Sequence, residues 1–181
     1  MGGHLDVLQW MRQRGFPWDE WTCRSAAGEG HLEVVKWARE RGAPWGPGAC
    51  DSAAWGDHLE MLKWLHENKC PWDAMTCAHA AACGNLEMLQ WARGRGCPWD
   101  EETSEYAGVN EHLEVLKWAI ENGCKWNKVN LLRTARREIT SVEKCRVEFA
   151  KSENAVLHMS ASIEGFRRLI EYVQSLDGEG R

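Results

Sequence analysis

Eight cysteines and seven histidines are the residues of this 181-residue chain best suited to chemistry. Thiolates and imidazoles bind zinc, and a thiol beside an imidazole is a potential nucleophile. Their spacing argues against both uses. Cys23, Cys50 and Cys77 stand 27 residues apart, and so do Cys70, Cys97 and Cys124. Regular columns of this kind belong to a repeat. Equivalent positions in stacked helix pairs lie about 10 Å apart, too far to share a zinc ion or close a disulfide. The one local cluster is Cys70, Cys77, His79 and Cys83. Zinc ligand pairs normally sit about two to four residues apart, and this cluster matches no such pattern. The expectation is small buried thiols kept reduced, with no metal and no cofactor.

His4, His31, His58 and His112 share another column, with Asn85 in its fourth slot. General acid–base work needs a nucleophile or a carboxylate held beside the imidazole, and none recurs at fixed spacing here. A Gly-Xaa-Ser-Xaa-Gly elbow, a P-loop and a dinucleotide fingerprint are all missing. Cys70-Pro71 and Cys97-Pro98 resemble the Cys-Pro step of some haem sensors, but the prolines share a column with Pro17 and Pro44, so a turn accounts for them. The chain therefore reads as non-enzymatic.

Basic side chains form the remaining chemical feature. Between positions 125 and 151 stand Lys125, Lys128, Arg133, Arg136, Arg137, Lys144, Arg146 and Lys151. Against Glu138, Glu143 and Glu148 they leave a local net of +5, whereas the whole chain carries −5. Arg133, Arg136, Arg137, Lys144 and Arg146 are thus a candidate patch for an acidic protein, a phosphate or RNA. No aromatic stacking platform accompanies them, which makes nucleic acid the weaker version.

The elements that position these residues follow from the tryptophans. Trp10, Trp37, Trp64, Trp91 and Trp118 are 27 residues apart, and so are Trp18, Trp45, Trp72, Trp99 and Trp126. A period of this size means stacked supersecondary units that bury a shared core. Within one unit, Pro17-Trp18-Asp19 starts a first helix with Asp19 as its cap. Gly28-Glu29-Gly30 breaks it, and a second helix runs from about His31 to Arg41 with Leu32, Val35 and Trp37 on its apolar stripe. Gly42 suits a left-handed cap. The two tryptophan columns are expected to be core and inter-repeat packing.

The segment Ala26-Ala27-Gly28-Glu29-Gly30-His31-Leu32-Glu33-Val34-Val35-Lys36 resembles the centre of an ankyrin repeat. That family has two antiparallel helices and a β-hairpin in about 33 residues. The present unit is about six residues shorter, and the gap falls at the hairpin tip. The usual Thr-Pro-Leu-His opening is absent from the main repeats, and Cys23, Cys50 and Cys77 take the slot that resembles its buried leucine. The resemblance implies an all-α solenoid of stacked antiparallel helix pairs with very short or absent hairpins. It also implies that the histidine column hydrogen-bonds backbone.

Three regions are expected. Residues 1–126 carry the regular repeats, the first of them only half present, so the chain reads as a fragment of a longer repeat protein. Residues 127–151 form a degenerate unit with the basic cluster, its first helix around Asn130–Ala135 and its second around Val142–Cys145. Residues 152–181 form a terminal cap: Ala155–Ala161 resembles the ankyrin opening, then a stripe of Phe166, Leu169, Ile170, Val173 and Leu176 follows, and Asp177–Arg181 ends as a frayed tail.

Scaffold columns repeat, whereas recognition columns vary. The variable first-helix slots hold Trp21, Met75, Arg24, Asp51, Glu105, His79 and Tyr106, and Trp55 stands off-column. In ankyrin-like proteins first helices and hairpins line the binding surface. Trp21, Arg24, Asp51, Trp55, Met75, His79, Glu105 and Tyr106 are therefore the candidate partner-binding residues. The expected function is that of a protein–protein interaction scaffold, an adaptor or a peripheral subunit of a larger assembly, monomeric by itself or within a hetero-complex. Nucleic-acid binding is not expected, except through the alternative of an accessory protein using the basic region 125–151. No apolar run approaches the roughly 20 residues of a membrane span. The cysteine usage places the protein in a reducing intracellular compartment, by default the cytoplasm.

Overall fold

The computed structural model describes residues 5–148 and 153–176. His4, Lys151 and the tail 177–181 lie outside the described residues. Among those described there are eleven helices and no strand. The helices are α1 (Leu5–Gln13), α2 (Glu20–Gly28), α3 (Leu32–Glu40), α4 (Pro47–Trp55), α5 (Leu59–Glu67), α6 (Ala74–Ala82), α7 (Leu86–Gly94), α8 (Glu101–Val109), α9 (Leu113–Glu121), α10 (Lys128–Glu148) and α11 (Glu153–Ser175). The first nine are each nine residues long and alternate between first and second helix of a unit. Where an ankyrin repeat carries a hairpin, the described residues have an irregular Pro-Trp turn.

Two compact units result, Met1–Ala80 with Glu87–Pro98, and Ala81–Leu86 with Trp99–Arg181. Each is a stack of helices. In the first, α2 packs on α3, α4 on α5, and the first helices α2 and α4 lie side by side. In the second, α8 packs on α9 and on α10, and α10 packs along α11.

The local starts and stops follow from residue type. Asp19 caps α2 by accepting from the Thr22 N–H at 3.2 Å, and Asp100 caps α8 by accepting from the Glu102 N–H at 3.0 Å. Second helices end in left-handed residues, Gly42, Gly96 and Gly123, but the equivalent position after α5 is Lys69 at φ 64°. A side chain there costs about 1 kcal/mol relative to glycine. Lys69→Gly is accordingly expected to stabilise the first unit by about 1 kcal/mol, seen as a higher urea midpoint with an unchanged slope.

The core is made of small and aliphatic side chains. Cys23, Val35, Ala38, Cys50, Leu62, Leu65, Cys77, Met88 and Leu89 are fully buried in the first unit, and Ala107, Leu116, Ala119 and Leu131 nearly or fully so in the second. The tryptophans stand differently from expectation. Those of the two columns are half-buried, except the exposed Trp10. They pair edge to face along the flank: Trp18 with Trp37 at 5.6 Å, Trp45 with Trp64 at 5.9 Å, Trp72 with Trp91 at 6.0 Å, and Trp99 with Trp118 at 5.8 Å. Nine-residue helices at close spacing leave room for cysteine, alanine and leucine between them. An indole fits only at the border, where it covers the core and keeps one edge wet.

The end of the chain also differs from expectation. Where two short helices are expected over residues 130–145, α10 runs through unbroken, and α11 likewise joins the ankyrin-like opening and the apolar stripe. The reason is local. Thr134–Thr140 contains no glycine or proline to break the helix, unlike Gly28-Glu29-Gly30. Phe166, Leu169 and Val173 of α11 are buried as their spacing predicts. The cap is latched by the Ser162 hydroxyl donating to the Glu111 carboxylate and by Lys128 Nζ donating to the Leu176 carbonyl at 2.7 Å.

Candidate functional site

The first-helix face of the first unit is built by α2, α4 and α6. Close packing sets its dimensions. A Cβ placed on Gly28 would lie 3.3 Å from the Ser52 Cβ, so small residues bring α2 and α4 together. Polar side chains then tie neighbouring helices. Arg24 Nε donates to Ser52 Oγ at 3.3 Å, and Thr76 Oγ1 donates to Asp51 Oδ1 at 2.8 Å. His79 Nδ1 lies 3.1 Å from the Asp51 carbonyl oxygen. Burial raises the Asp51 carboxyl above its ordinary range, and the Thr76 hydroxyl pulls the other way.

Two tryptophans stand out from this framework. Trp21 is 63% exposed and Trp55 62% exposed. Both are held by neighbours. The Arg24 guanidinium sits 4.7 Å over the Trp21 ring, and the His79 ring meets Trp55 edge-on at 5.1 Å. A cleft of about 160 Å³ opens between Glu20, Trp21 and Arg24 on one side and the turn Gly46-Pro47-Gly48 on the other. The structure thus joins Trp21 to Arg24, and Trp55 to His79 and Asp51. Met75 is half-buried on α6. Glu105 and Tyr106 lie in the second unit, where Glu105 accepts from Asn130 Nδ2 at 3.0 Å and the Tyr106 carbonyl accepts from Asn110.

The basic candidates lie on α10. Arg133, Arg136, Arg137 and Lys144 are exposed and stand at i, i+3, i+4 and i+11, one side of the helix; Arg146 is exposed off that stripe. Arg133 bonds Asn130 Oδ1 at 3.0 Å, and Arg137 pairs with Glu138 at 2.9 Å.

The histidine and cysteine columns turn out to be joints between repeats. Gly30 and Gly84 have φ +72°, and the rings of His58 and His112 lie directly against them. His112 Nε2 is 3.0 Å from the Ala82 carbonyl oxygen. The thiols of Cys70, Cys97 and Cys124 donate to the carbonyls of Gly46, Asp73 and Asp100, at 3.5, 3.4 and 3.1 Å. Distances within a column do not decide thiol contact, because the close thiols belong to different columns. A hydrogen bond with Cys70 and burial push the Cys50 thiol up, and the same causes push Cys97 up beside Cys77. Burial lifts Cys23 to about 11. Thiols held protonated in this way are poor nucleophiles and poor metal ligands. No group of three potential metal ligands converges among the described residues.

Sequence reasoning missed one recurring device. Arg12 and Arg39 lie over Trp18 and Trp45, at 5.2 and 3.9 Å, and donate to the carbonyls of Phe16 and Ala43. Arg93 donates likewise to the Cys97 carbonyl. In the middle repeat the slot holds His66, stacked on Trp72 at 4.1 Å with Trp91 edge-on at 5.7 Å. The signal was present at 27-residue spacing, but a surface arginine in a column reads as solvated without its turn partner.

Burial, followed by the charges of Arg95 and Lys69, lowers the His66 pKa from its ordinary 6.5, while Glu67 opposes the shift. The folded state therefore holds the neutral ring. As pH falls below 6.5 the unfolded chain takes up the proton first, so stability falls until the folded ring also protonates. Comparing urea midpoints at pH 8 and pH 5.5 for the native chain and His66→Arg is expected to show a shallower pH dependence in the variant. Identical slopes would remove His66 as a titrating contributor.

Residues 23–66 match the family model of ankyrin repeats in many copies. No curated protein matches the chain. Among solved structures it is similar to the pentatricopeptide repeat protein PPR10 in complex with an 18-nt psaJ RNA element. The identity there is 14% over 97% of this chain and 32% of that one, with a TM-score of 0.43, so this chain spans about a third of that protein. A second similar structure is the PPR domain of Arabidopsis thaliana protein-only RNase P 1 in complex with tRNA. It is 11% identical over 93% of this chain and 98% of that one, with a TM-score of 0.37.

Proposed function

We propose, with the ankyrin repeats of residues 23–66 as the premise, that the chain is a non-catalytic protein-interaction module, a scaffold or adaptor binding through its first-helix faces. One observation carries this reading. Among side chains that do not follow the repeat, Trp21 and Trp55 expose most of their rings, and both are held by neighbours on the same face. Large aromatics immobilised before binding lose little entropy on docking and are frequent interface anchors. Asp51 and His79 support them. Met75, Glu105 and Tyr106 are half-buried, and their share in recognition is smaller. The buried cysteines, with no disulfide among the described residues, fit an intracellular reducing compartment.

The test is affinity capture from an extract, comparing the native chain with a Trp21→Ala, Trp55→Ala variant. Because both side chains are exposed, the melting temperature is expected to stay nearly constant. A protein retained by the native chain and lost by the variant supports the proposal, whereas equal retention by both overturns it.

A second reading rests on the stripe of Arg133, Arg136, Arg137 and Lys144 on the exposed side of α10. It would dock an acidic or phosphate-bearing partner, RNA included. Retention there would fall steeply as salt is raised from about 50 to 200 mM, whereas an aromatic-anchored complex would lose little.

A further inference from the structure

The two ends of the helix pairs in the first unit differ in charge. At one end first helices turn into second helices, through residues 29–31 and 56–58. The segments 25–36 and 52–63 that make these turns hold Glu29, Glu33, Asp57 and Glu60 against Lys36 and Lys63, four carboxylates to two ammonium groups, a formal −2. The lysines stand one turn inside and pair with Glu33 and Glu60 at 2.8 and 2.7 Å. Arginines gather at the opposite end, where Arg39, Arg41, Arg93 and Arg95 stand at the close of second helices. The two acidic turns touch. A Cβ on Gly56 would collide with the Gly28 carbonyl, and the His58 ring lies against Gly30.

Trp55 stands at this acidic end as the last residue of α4, 62% exposed and braced edge-on by His79. The preceding repeat has Gly28 in that slot, so the indole rises beside a residue without a side chain. Trp55, Asp57 and Glu60 belong to the pair α4–α5, which has a complete helix pair before it and another after it. An exposed indole next to surplus carboxylates is complementary to a guanidinium, which bonds a carboxylate in a fork and lies against an aromatic face. We infer that this end of the first unit is a docking site for an extended segment of a partner protein carrying arginine at every third position. Charge and the indole select arginine. The array selects the spacing, because stacked helices repeat at about 8–10 Å and three extended residues span about 10 Å. One arginine then meets Glu29 and Glu33, and the next meets Trp55, Asp57 and Glu60. Opposite charges steer the segment and fix its register. The inference rests on the reading of Trp55 as an anchor and names the chemistry of its partner.

The test uses a fluorescein-labelled peptide of four Arg-Gly-Ser triplets, with a control of the same composition whose arginines are contiguous. Anisotropy titration against the whole chain is expected to saturate with the triplet peptide, and more weakly with the control. Raising the salt is expected to weaken binding, since exposed charges are screened. Trp55→Ala is expected to weaken it about fivefold, the size of an exposed cation–π contact. Asp57→Asn is expected to do the same; asparagine tolerates the left-handed backbone at φ 60°, so the fold is kept. Glu29→Gln, on the neighbouring turn, is a second variant with the same expectation. Glu40→Gln, at the opposite end, is expected to leave the affinity unchanged. Failure to saturate at millimolar concentration would overturn the inference. So would equal affinity for the control peptide, equal affinity in Trp55→Ala or Asp57→Asn, or a loss in Glu40→Gln. Sedimentation showing a dimer that Asp57→Asn dissolves, with no peptide bound, would assign this end to a second copy and also overturn it. Retention from an extract that still depends on Trp21 and Trp55, with no peptide bound, would sink this inference and leave the scaffold reading standing. Peptide binding as expected, with equal retention by both chains in the extract, would do the reverse.

Discussion

Leu65→Ala is expected to lower the stability of the first unit by about 3–4 kcal/mol. Leu65 is fully buried on α5. Truncation removes its transfer energy and leaves a cavity, and the short helices around it have little freedom to close in. With a urea slope of about 1–3 kcal/mol per molar, the midpoint would fall by more than about 1 M. Trp64, the preceding residue, is the control. Its ring is only half-buried and packs edge-on against Trp45. Trp64→Ala is expected to cost about 2 kcal/mol, less than a fully buried tryptophan would. A larger loss at Trp64 than at Leu65 would return the tryptophans to the core and refute the assignment of a border position.

Gly84→Ala is expected to cost about 3 kcal/mol, from two separable causes. The residue sits at φ +72°, where a Cβ strains the backbone by about 1 kcal/mol or more. A Cβ would also lie 2.5 Å from the His112 Nδ1, inside the ring's van der Waals contact. Overpacking of this kind costs about 1–3 kcal/mol. The ring cannot simply turn away without giving up its contact with the Ala82 carbonyl. A double-mutant cycle separates the causes. In a His112→Ala background, Gly84→Ala is expected to cost only the backbone strain, about 1 kcal/mol. An undiminished cost there would show that the glycine serves the turn alone and that the histidine column is not a joint between repeats.

Both predictions rest on columns that a reader of the sequence can see, Leu65 beside Trp64 and Gly84 ahead of His112. Recurrence at 27 residues is enough to place helices, turns and caps, because each depends on near neighbours in the chain. Asp19 caps the helix that follows it, and Gly42 ends the one before it. The stack of helices and the lack of a hairpin among the described residues follow from the same local signals, as does the resemblance to ankyrin repeats over the segment Ala26–Lys36. The prominence of Trp21 and Trp55 was legible too, since both break the column pattern, although the ring contact of Trp55 with His79 was not.

Contacts at offsets other than the repeat period were beyond that reading. Cys50 meets Cys70, Cys77 meets Cys97, and Asp51 meets Thr76 and His79, because stacking brings a first helix against the following turn or the following first helix. Which half of an indole is buried depends on the spacing of helices many residues apart, so the tryptophans moved from core to border. The fusion of two expected helices into α10 reflects a missing glycine, which the sequence contains but a register argument overlooks. Period and residue type determined the elements of this protein. Only tertiary structure decided which side chains meet and which stay exposed, because burial is a property of neighbours in space.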